Sequence, residues 1–304
     1  MELYDVIIIG GGPAGLNAAV VLGRCKRSVL LFDHGQQRNR YSHGMHNYLT
    51  RDNVPPSEFL EMARKEVKKY GVKIIDVAVK HANKMNKTSF EVIAVDRKKY
   101  HSKKLILATG LADILPDIPG AKALYGKSMY HCPYCDGWEC SDKKIAVYSK
   151  TKAGFELAIT LSRWSDQITI FTDGENYGTK KQLDILKKKN IGIEYGKISS
   201  FEGNKGMIKY VAMENGDKFA CEALFFSNGY TVQCNLVESL GCVTAKNNVA
   251  ITNKSQQTNI YGLYVAGDAS KDMHFVVVAS AEGAKAAVYI NKELIKEELK
   301  TLGG

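Results

Sequence analysis

The chain begins with an apolar, largely β-branched run, Leu3-Tyr4-Asp5-Val6-Ile7-Ile8-Ile9, that stops at three glycines. Such a run predicts a parallel strand buried on both faces. Small apolar residues at helical spacing over 14–24 and a second apolar run at 28–32 complete a βαβ unit. An amphipathic helix is predicted over 57–70, with Pro55 and Pro56 before it and Gly71 after it. Strands near 72–80 and 88–95 follow, then Leu105-Ile106-Leu107 leading into Ala108-Thr109-Gly110. A second cycle starts near 113. It has a strand at 144–148, a helix at about 153–164, a strand at 167–171 and a basic helix at roughly 179–190. Strands near 192–199, 207–213 and 219–227 close it at Asn228-Gly229. The tail repeats a strand–glycine ending at Gly267-Asp268, with a helix of about 276–291 behind it. Two halves on one plan make a weak internal duplication.

Composition narrows the class. A chain of 304 residues with 45% hydrophobic content can bury one large core or two ordinary ones. No apolar stretch is long enough for a membrane helix, and the N-terminus lacks the features of a signal peptide, so the expected location is the cytoplasm with no membrane partner. The net charge of +10 is dispersed; its densest run, Lys187-Lys188-Lys189, reads as a solvated helix face or as a dock for an acidic partner. No nucleic-acid motif accompanies it, and none is expected to bind. Of seven cysteines only Cys132 and Cys135 form a tight pair, unlike a secreted disulfide framework. A reducing compartment fits this usage.

Two motifs carry chemistry. Gly10-Gly11-Gly12-Pro13-Ala14-Gly15 contains GxGxxG between a strand and a helix, with Asp33 ending the next strand. Gly10 permits the tight turn, Gly12 lets backbone approach a pyrophosphate, and Gly15 lets helix pack on strand. The helix start offers amides and a positive dipole to phosphates, and Asp33 can accept from ribose hydroxyls. A plain glycine turn with a surface Asp is the bland alternative, and the fingerprint alone does not choose FAD over NAD. The second motif is His131-Cys132-Pro133-Tyr134-Cys135-Asp136-Gly137-Trp138-Glu139. CxxC at a helix start brings two thiols within disulfide reach and lowers a thiol pKa. Its rival is half of a zinc site, but no second ligand pair has matching spacing, so no metal is expected. Cys25, Cys221, Cys234 and Cys242 read as buried small residues, and Cys140 lies near enough in sequence to invite a resolving role.

Ala108-Thr109-Gly110 and Thr258-Asn-Ile-Tyr-Gly-Leu-Tyr-Val-Ala-Gly267-Asp268, taken with the glycine motif, resemble the two-dinucleotide flavoproteins. Cys-x-x-Cys-Asp-Gly in a second domain resembles the low-molecular-weight thioredoxin reductases across essentially the whole chain. The resemblance implies an α/β fold of two Rossmann-like three-layer dinucleotide-binding domains. The FAD domain would be discontinuous, 1–112 plus 243–304, around a second domain at 113–242. It implies FAD held by Gly10, Gly12, Pro13, Ala14, Gly15, Asp33, Thr109, Gly110, Gly267 and Asp268, and a homodimer. It also implies Cys135 facing the flavin, Cys132 as interchange thiol, and Asp136 as general acid/base, unless Asp136 merely caps a helix.

The pattern departs from those reductases where NADPH would bind. Ser149 and Thr151 stand where a second glycine fingerprint belongs, and a Cβ there crowds a pyrophosphate. Asp173 and Glu175 replace the basic cluster for the 2′-phosphate, with Lys150, Lys152, Lys180 and Lys181 as the available compensation. The stretch 38–52, with Cys-Pro-Tyr-Cys and Trp138-Glu139, resembles the gliotoxin- and holomycin-type dithiol oxidases. By that match His43 and His46 sit near the flavin; otherwise they are ordinary loop histidines. Three functions stay open. One is a disulfide reductase fed by NAD(P)H or ferredoxin and serving a thioredoxin-like protein. Another is an oxidase of a small-molecule dithiol. The third is a flavin redox sensor that signals to a partner without turnover.

Overall fold

The computed structural model describes residues 2–245, 247–270 and 273–302. The chain forms two compact units. The first holds 1–40, 47–112 and 231–304, the second 41–46 and 113–230.

The first unit is built on the run that opens the chain. Strand Leu3–Ile9 lies between parallel strands Val29–Phe32 and Lys99–Leu107, with Ile8 opposite both Leu31 and Ile106. Its last four residues are buried because the helices around Leu16 and Ile290 cover one face, and Leu236, Val237, Ala250 and Ala269 cover the other. The sheet continues outward to Lys73–Ile75 on one side and, antiparallel, to Phe90–Ala94 and Val79–Lys84 on the other. The single strand expected near 72–80 is thus two, pairing at opposite edges. Strand Leu263–Val265 pairs parallel with the C-terminal half of Lys99–Leu107.

The second unit repeats the plan. Five parallel strands stand in the order Gly192–Glu194, Ile168–Phe171, Ile145–Tyr148, Ala223–Phe226, Met129–Tyr130. An antiparallel meander, Ile198–Asn204 to Met207–Met213 to Lys218–Ala220, lies beside them in sequence. Helix Lys180–Lys188 starts at a capping box in which Thr179 and Gln182 satisfy each other's amides.

The unit limits differ from the expected ones in two places. Residues 231–242 group with the first unit because helix Leu236–Ser239 buries Leu236 and Val237 in the cluster holding Ile7, Leu105 and Val265. Residues 41–46 group with the second because Tyr41 packs edge-on against Tyr125 and closely over Gly126.

The last helix runs Val276–Leu302, a further three turns beyond the expected end. Glu, Lys and Leu dominate that extension and favour helix. Lys104, fully buried, anchors it: Nζ lies 2.6 Å from Glu297 Oε1 and 3.4 Å from Glu293 Oε2, over the Tyr261 ring. Burial alone would lower the ammonium pKa, but the two carboxylates hold it above its ordinary value.

The same helix touches helix Pro13–Arg24 through Gly283, where an added Cβ would fall 2.0 Å from the Ala14 carbonyl oxygen. Gly283→Ala should therefore destabilise the protein by about 1–3 kcal/mol through overpacking. Alanine's better helix propensity, worth about 1 kcal/mol, acts in the opposite direction. A urea midpoint equal to that of the unchanged protein would contradict this packing.

Candidate functional site

In the first unit the glycine motif, Asp33, Thr109 and Gly267 meet at one end of the parallel sheet. Gly10, at φ +114°, approaches the Ala108 carbonyl so closely that a Cβ would sit 2.1 Å from its oxygen. Gly15 lies against the Gly10 carbonyl in the same way, at 1.9 Å. These approaches press the start of helix Pro13–Arg24 onto the strand ends. Gly12 is its N-cap without any side-chain cap, and Pro13 opens it. A Cβ on Gly12 would meet nothing within 4 Å. The helix therefore points uncapped amides into open space, which fits a bound phosphate.

Asp33 is buried at the end of its strand. Its carboxylate accepts from the Gly35 amide at 3.0 Å and Gln37 Nε2 at 2.9 Å, and pairs with Arg64 at 2.8 Å. It is thus a positioned acceptor, and Gln37 and Arg64, which sequence reasoning missed, hold it. On the opposite flank Gly267, at φ +80°, comes close to Ala14, and its amide donates to Glu282 Oε2 at 2.8 Å. Glu282 is buried and also receives Ser270 Oγ. A lone acid on the apolar face of helix Val276–Leu302 is the signal that would have found it. Asp268 Oδ2 lies 3.3 Å from Arg38, which also bonds His274 Nδ1 at 2.9 Å. Gly110 adopts φ +64° just after Thr109.

In the second unit Cys132 and Cys135 are joined as a disulfide, Cα atoms 5.3 Å apart. Cys132 is the N-cap of the short helix Pro133–Asp136, in extended conformation, and its Sγ accepts from the Cys135 amide at 3.2 Å. Gly137 lets the Trp164 ring close on this turn, since a Cβ would fall 2.9 Å from the ring. Tyr134, in edge contact with Trp164, and Trp138 are largely exposed around the pair.

Burial first, then the charge of Glu139, push the Asp136 carboxyl up to about 7. Near neutrality such a group can both give and take a proton. Cys140 is buried, and burial pushes its thiol up to about 12, so it persists as a core thiol rather than a resolving thiolate. Cys221 is buried in the same way, at about 12. Cys234 and Cys242 are half-buried, and Cys25, expected inside, is exposed. His43 and His46, expected beside a flavin, group with the unit that carries the disulfide. His43 is exposed, and His46 Nε2 lies 3.5 Å from Glu139 Oε1.

The second unit's own glycine-loop position is filled by its side chains. Ser149, fully buried after strand Ile145–Tyr148, donates to the Thr151 carbonyl at 3.1 Å and accepts the Thr151 amide at 3.2 Å. The Tyr177 hydroxyl donates to the Ser149 carbonyl, and its ring meets Phe155 edge-on. A Cβ at Gly154 would strike Ser149 Cβ at 2.7 Å. Lys150 pairs with Asp173 at 2.8 Å, and Asp173 also accepts the Ile198 amide at 3.0 Å. The loop's hydroxyls and the Lys150 charge are thus spent internally. Lys150 therefore faces Asp173, and Ser149 and Thr151 place side chains where a glycine loop would leave room for a pyrophosphate.

The sequence profile of the pyridine nucleotide-disulphide oxidoreductases matches residues 4–283. A probable thioredoxin reductase of Arthroderma benhamiae is 31% identical over 99% of this chain and 83% of its own. The thioredoxin reductase of Bacillus subtilis is 26% identical over 99% and 98%. The crystal structure of HlmI superposes with a TM-score of 0.95 at 30% identity, covering 98% of this chain and 95% of that one. No helix among the described residues is long and apolar enough to cross a membrane. The chain belongs to the pyridine nucleotide-disulphide oxidoreductase family, as a thioredoxin reductase-like flavin disulfide oxidoreductase.

Proposed function

We propose that the protein passes electron pairs between FAD on its first unit and the Cys132–Cys135 pair, with Cys132 exchanging against a substrate disulfide or dithiol. The observation that carries this reading is a CxxC disulfide at a helix start, followed at once by a carboxyl that titrates near 7. Gly10, Gly12, Pro13, Ala14, Gly15, Asp33, Thr109, Gly110, Gly267 and Asp268 would hold FAD, which when bound supplies the two-electron acceptor or donor. Open room before the Gly12 amides and a fixed Asp33 acceptor support that assignment.

The self-filled loop around Ser149, Tyr177 and the Lys150–Asp173 pair favours the oxidising direction, with a dithiol as the electron source in place of a nicotinamide. A substrate thiolate attacks the Cys132 sulfur, and Cys135 leaves as a thiolate. The substrate's second thiol then closes its own disulfide and releases Cys132, so the pair ends reduced. Asp136 holds a proton for the leaving sulfur. A small dithiol suits the exposed Tyr134 and Trp138 around the pair, as does a thioredoxin-like protein.

Three outcomes are expected. First, under anaerobic conditions dithiothreitol should bleach the flavin absorbance, NADPH and NADH should not, and Cys132→Ser should abolish the dithiol route while FAD stays bound. Rapid bleaching by either nicotinamide would sink the oxidising direction, and dithiol bleaching in Cys132→Ser would sink the assigned role. Second, Gly12→Val should weaken FAD binding at least about 100-fold by filling the phosphate space; a fully loaded yellow variant refutes the cradle. Third, exchange should fall as pH rises through about 7, and Asp136→Asn should lower it roughly 100-fold and remove that limb. Stability should follow the same sign. The folded pKa lies above the unfolded value of about 3.9, so Asp136 is least costly below pH 4 and its penalty grows as pH rises through about 7. Urea midpoints of the Asn variant should lack that slope.

A further inference from the structure

Three side chains ahead of the disulfide are joined in line. Asp113, at the end of strand Leu111–Asp113, has a side chain only 2% exposed. It accepts the Tyr125 hydroxyl, and its Oδ2 lies 3.4 Å from His131 Nδ1. His131 sits at a bend between strand Met129–Tyr130 and helix Pro133–Asp136, immediately before Cys132. Its side chain is 34% exposed and meets the Phe226 ring edge-on. A buried carboxylate paired with the half-exposed imidazole of the residue next to a redox cysteine repeats the logic by which a third group orients a base beside a nucleophile. Asp136 and Glu139 follow the pair in sequence, and His46 Nε2 lies 3.5 Å from Glu139 Oε1. His131 directly precedes Cys132 in the chain and is paired with Asp113.

We infer that His131, oriented by Asp113 and Tyr125, is a positioning residue that raises the thiolate fraction of Cys132 in the reduced pair. Asp113 favours the protonated ring and takes its Nδ1–H. The imidazolium then favours Cys132 as thiolate, the form in which it leaves when the substrate closes its own disulfide. His131 acts through Cys132 and needs no contact with substrate. The inference rests on the reading of Cys132 as the exchanging sulfur.

The test uses the reduced, FAD-loaded protein alkylated with iodoacetamide between about pH 5 and 9, the span over which thiols near a cation titrate. Label at Cys132 is quantified by mass spectrometry of its peptide. His131→Gln should raise the pH midpoint of Cys132 alkylation by about one unit and slow labelling near neutrality roughly tenfold. Tyr125→Phe and Asp113→Asn should shift it the same way by less. If Asp113→Asn does not fold, His131→Gln, at a partly exposed ring, still decides. An unchanged midpoint in His131→Gln overturns the inference. Disulfide exchange that survives full alkylation of Cys132 in the unchanged protein would instead overturn the role of Cys132, a separate result.

Discussion

Backbone pressed against backbone is the constraint on which the first unit depends. At Gly10 against Ala108, at Gly15 against Gly10 and at Gly283 against Ala14, carbonyl oxygens occupy the space of a side chain. No residue with a Cβ fits any of these positions without displacing main chain. The three approaches lock a helix start, a strand end and the last helix together. Gly12, between Gly10 and Gly15, has room in front of a helix start that no side chain caps. A packed floor and an empty ceiling are what an anion site needs, and both follow from where glycines stand.

The second unit shows what the same scaffold becomes when that vacancy is closed. The βαβ frame and strand register persist, but a serine hydroxyl, a tyrosine and a lysine–aspartate pair occupy the crevice. The same scaffold presents the disulfide. There the chemistry is set by desolvation and by the balance of near charges. Asp136 is held near neutrality, Cys140 is silenced by burial, and two histidines pair with acids on either side of the redox turn.

Signals local in sequence were legible. The glycine fingerprint, the CxxC turn and the apolar runs ending at glycine each need only neighbouring residues, and the parallel sheets followed from them. Two kinds of feature were not legible. Partners brought together across long separations, such as Arg64 on Asp33 or Tyr177 on Ser149, leave no spacing to read. Boundaries decided by packing also escaped, as where Leu236 and Val237 draw residues 231–242 into the first core. The broken strand near 72–80 belongs with these, because one apolar pattern there serves two different neighbours. Ser149 and Thr151 mark an intermediate case: the sequence showed that glycines were missing, and the fold showed what took their place.

Glu282 and Gly283 close on the glycine turn begun by Gly10 to Gly15, through the Gly267 amide and the Ala14 carbonyl. On the ribosome the two ends of that packing appear far apart in time. Between Gly15 and Gly267 roughly 250 residues are added, which takes on the order of 12–50 s at about 5–20 residues per second. Until then the Pro13–Arg24 helix lacks its partner and exposes the apolar face that Ala279, Ala286 and Ile290 later help to cover. The nascent chain therefore carries an unfinished, sticky helix face through most of its synthesis, and this packing closes only in the final moments of translation and after.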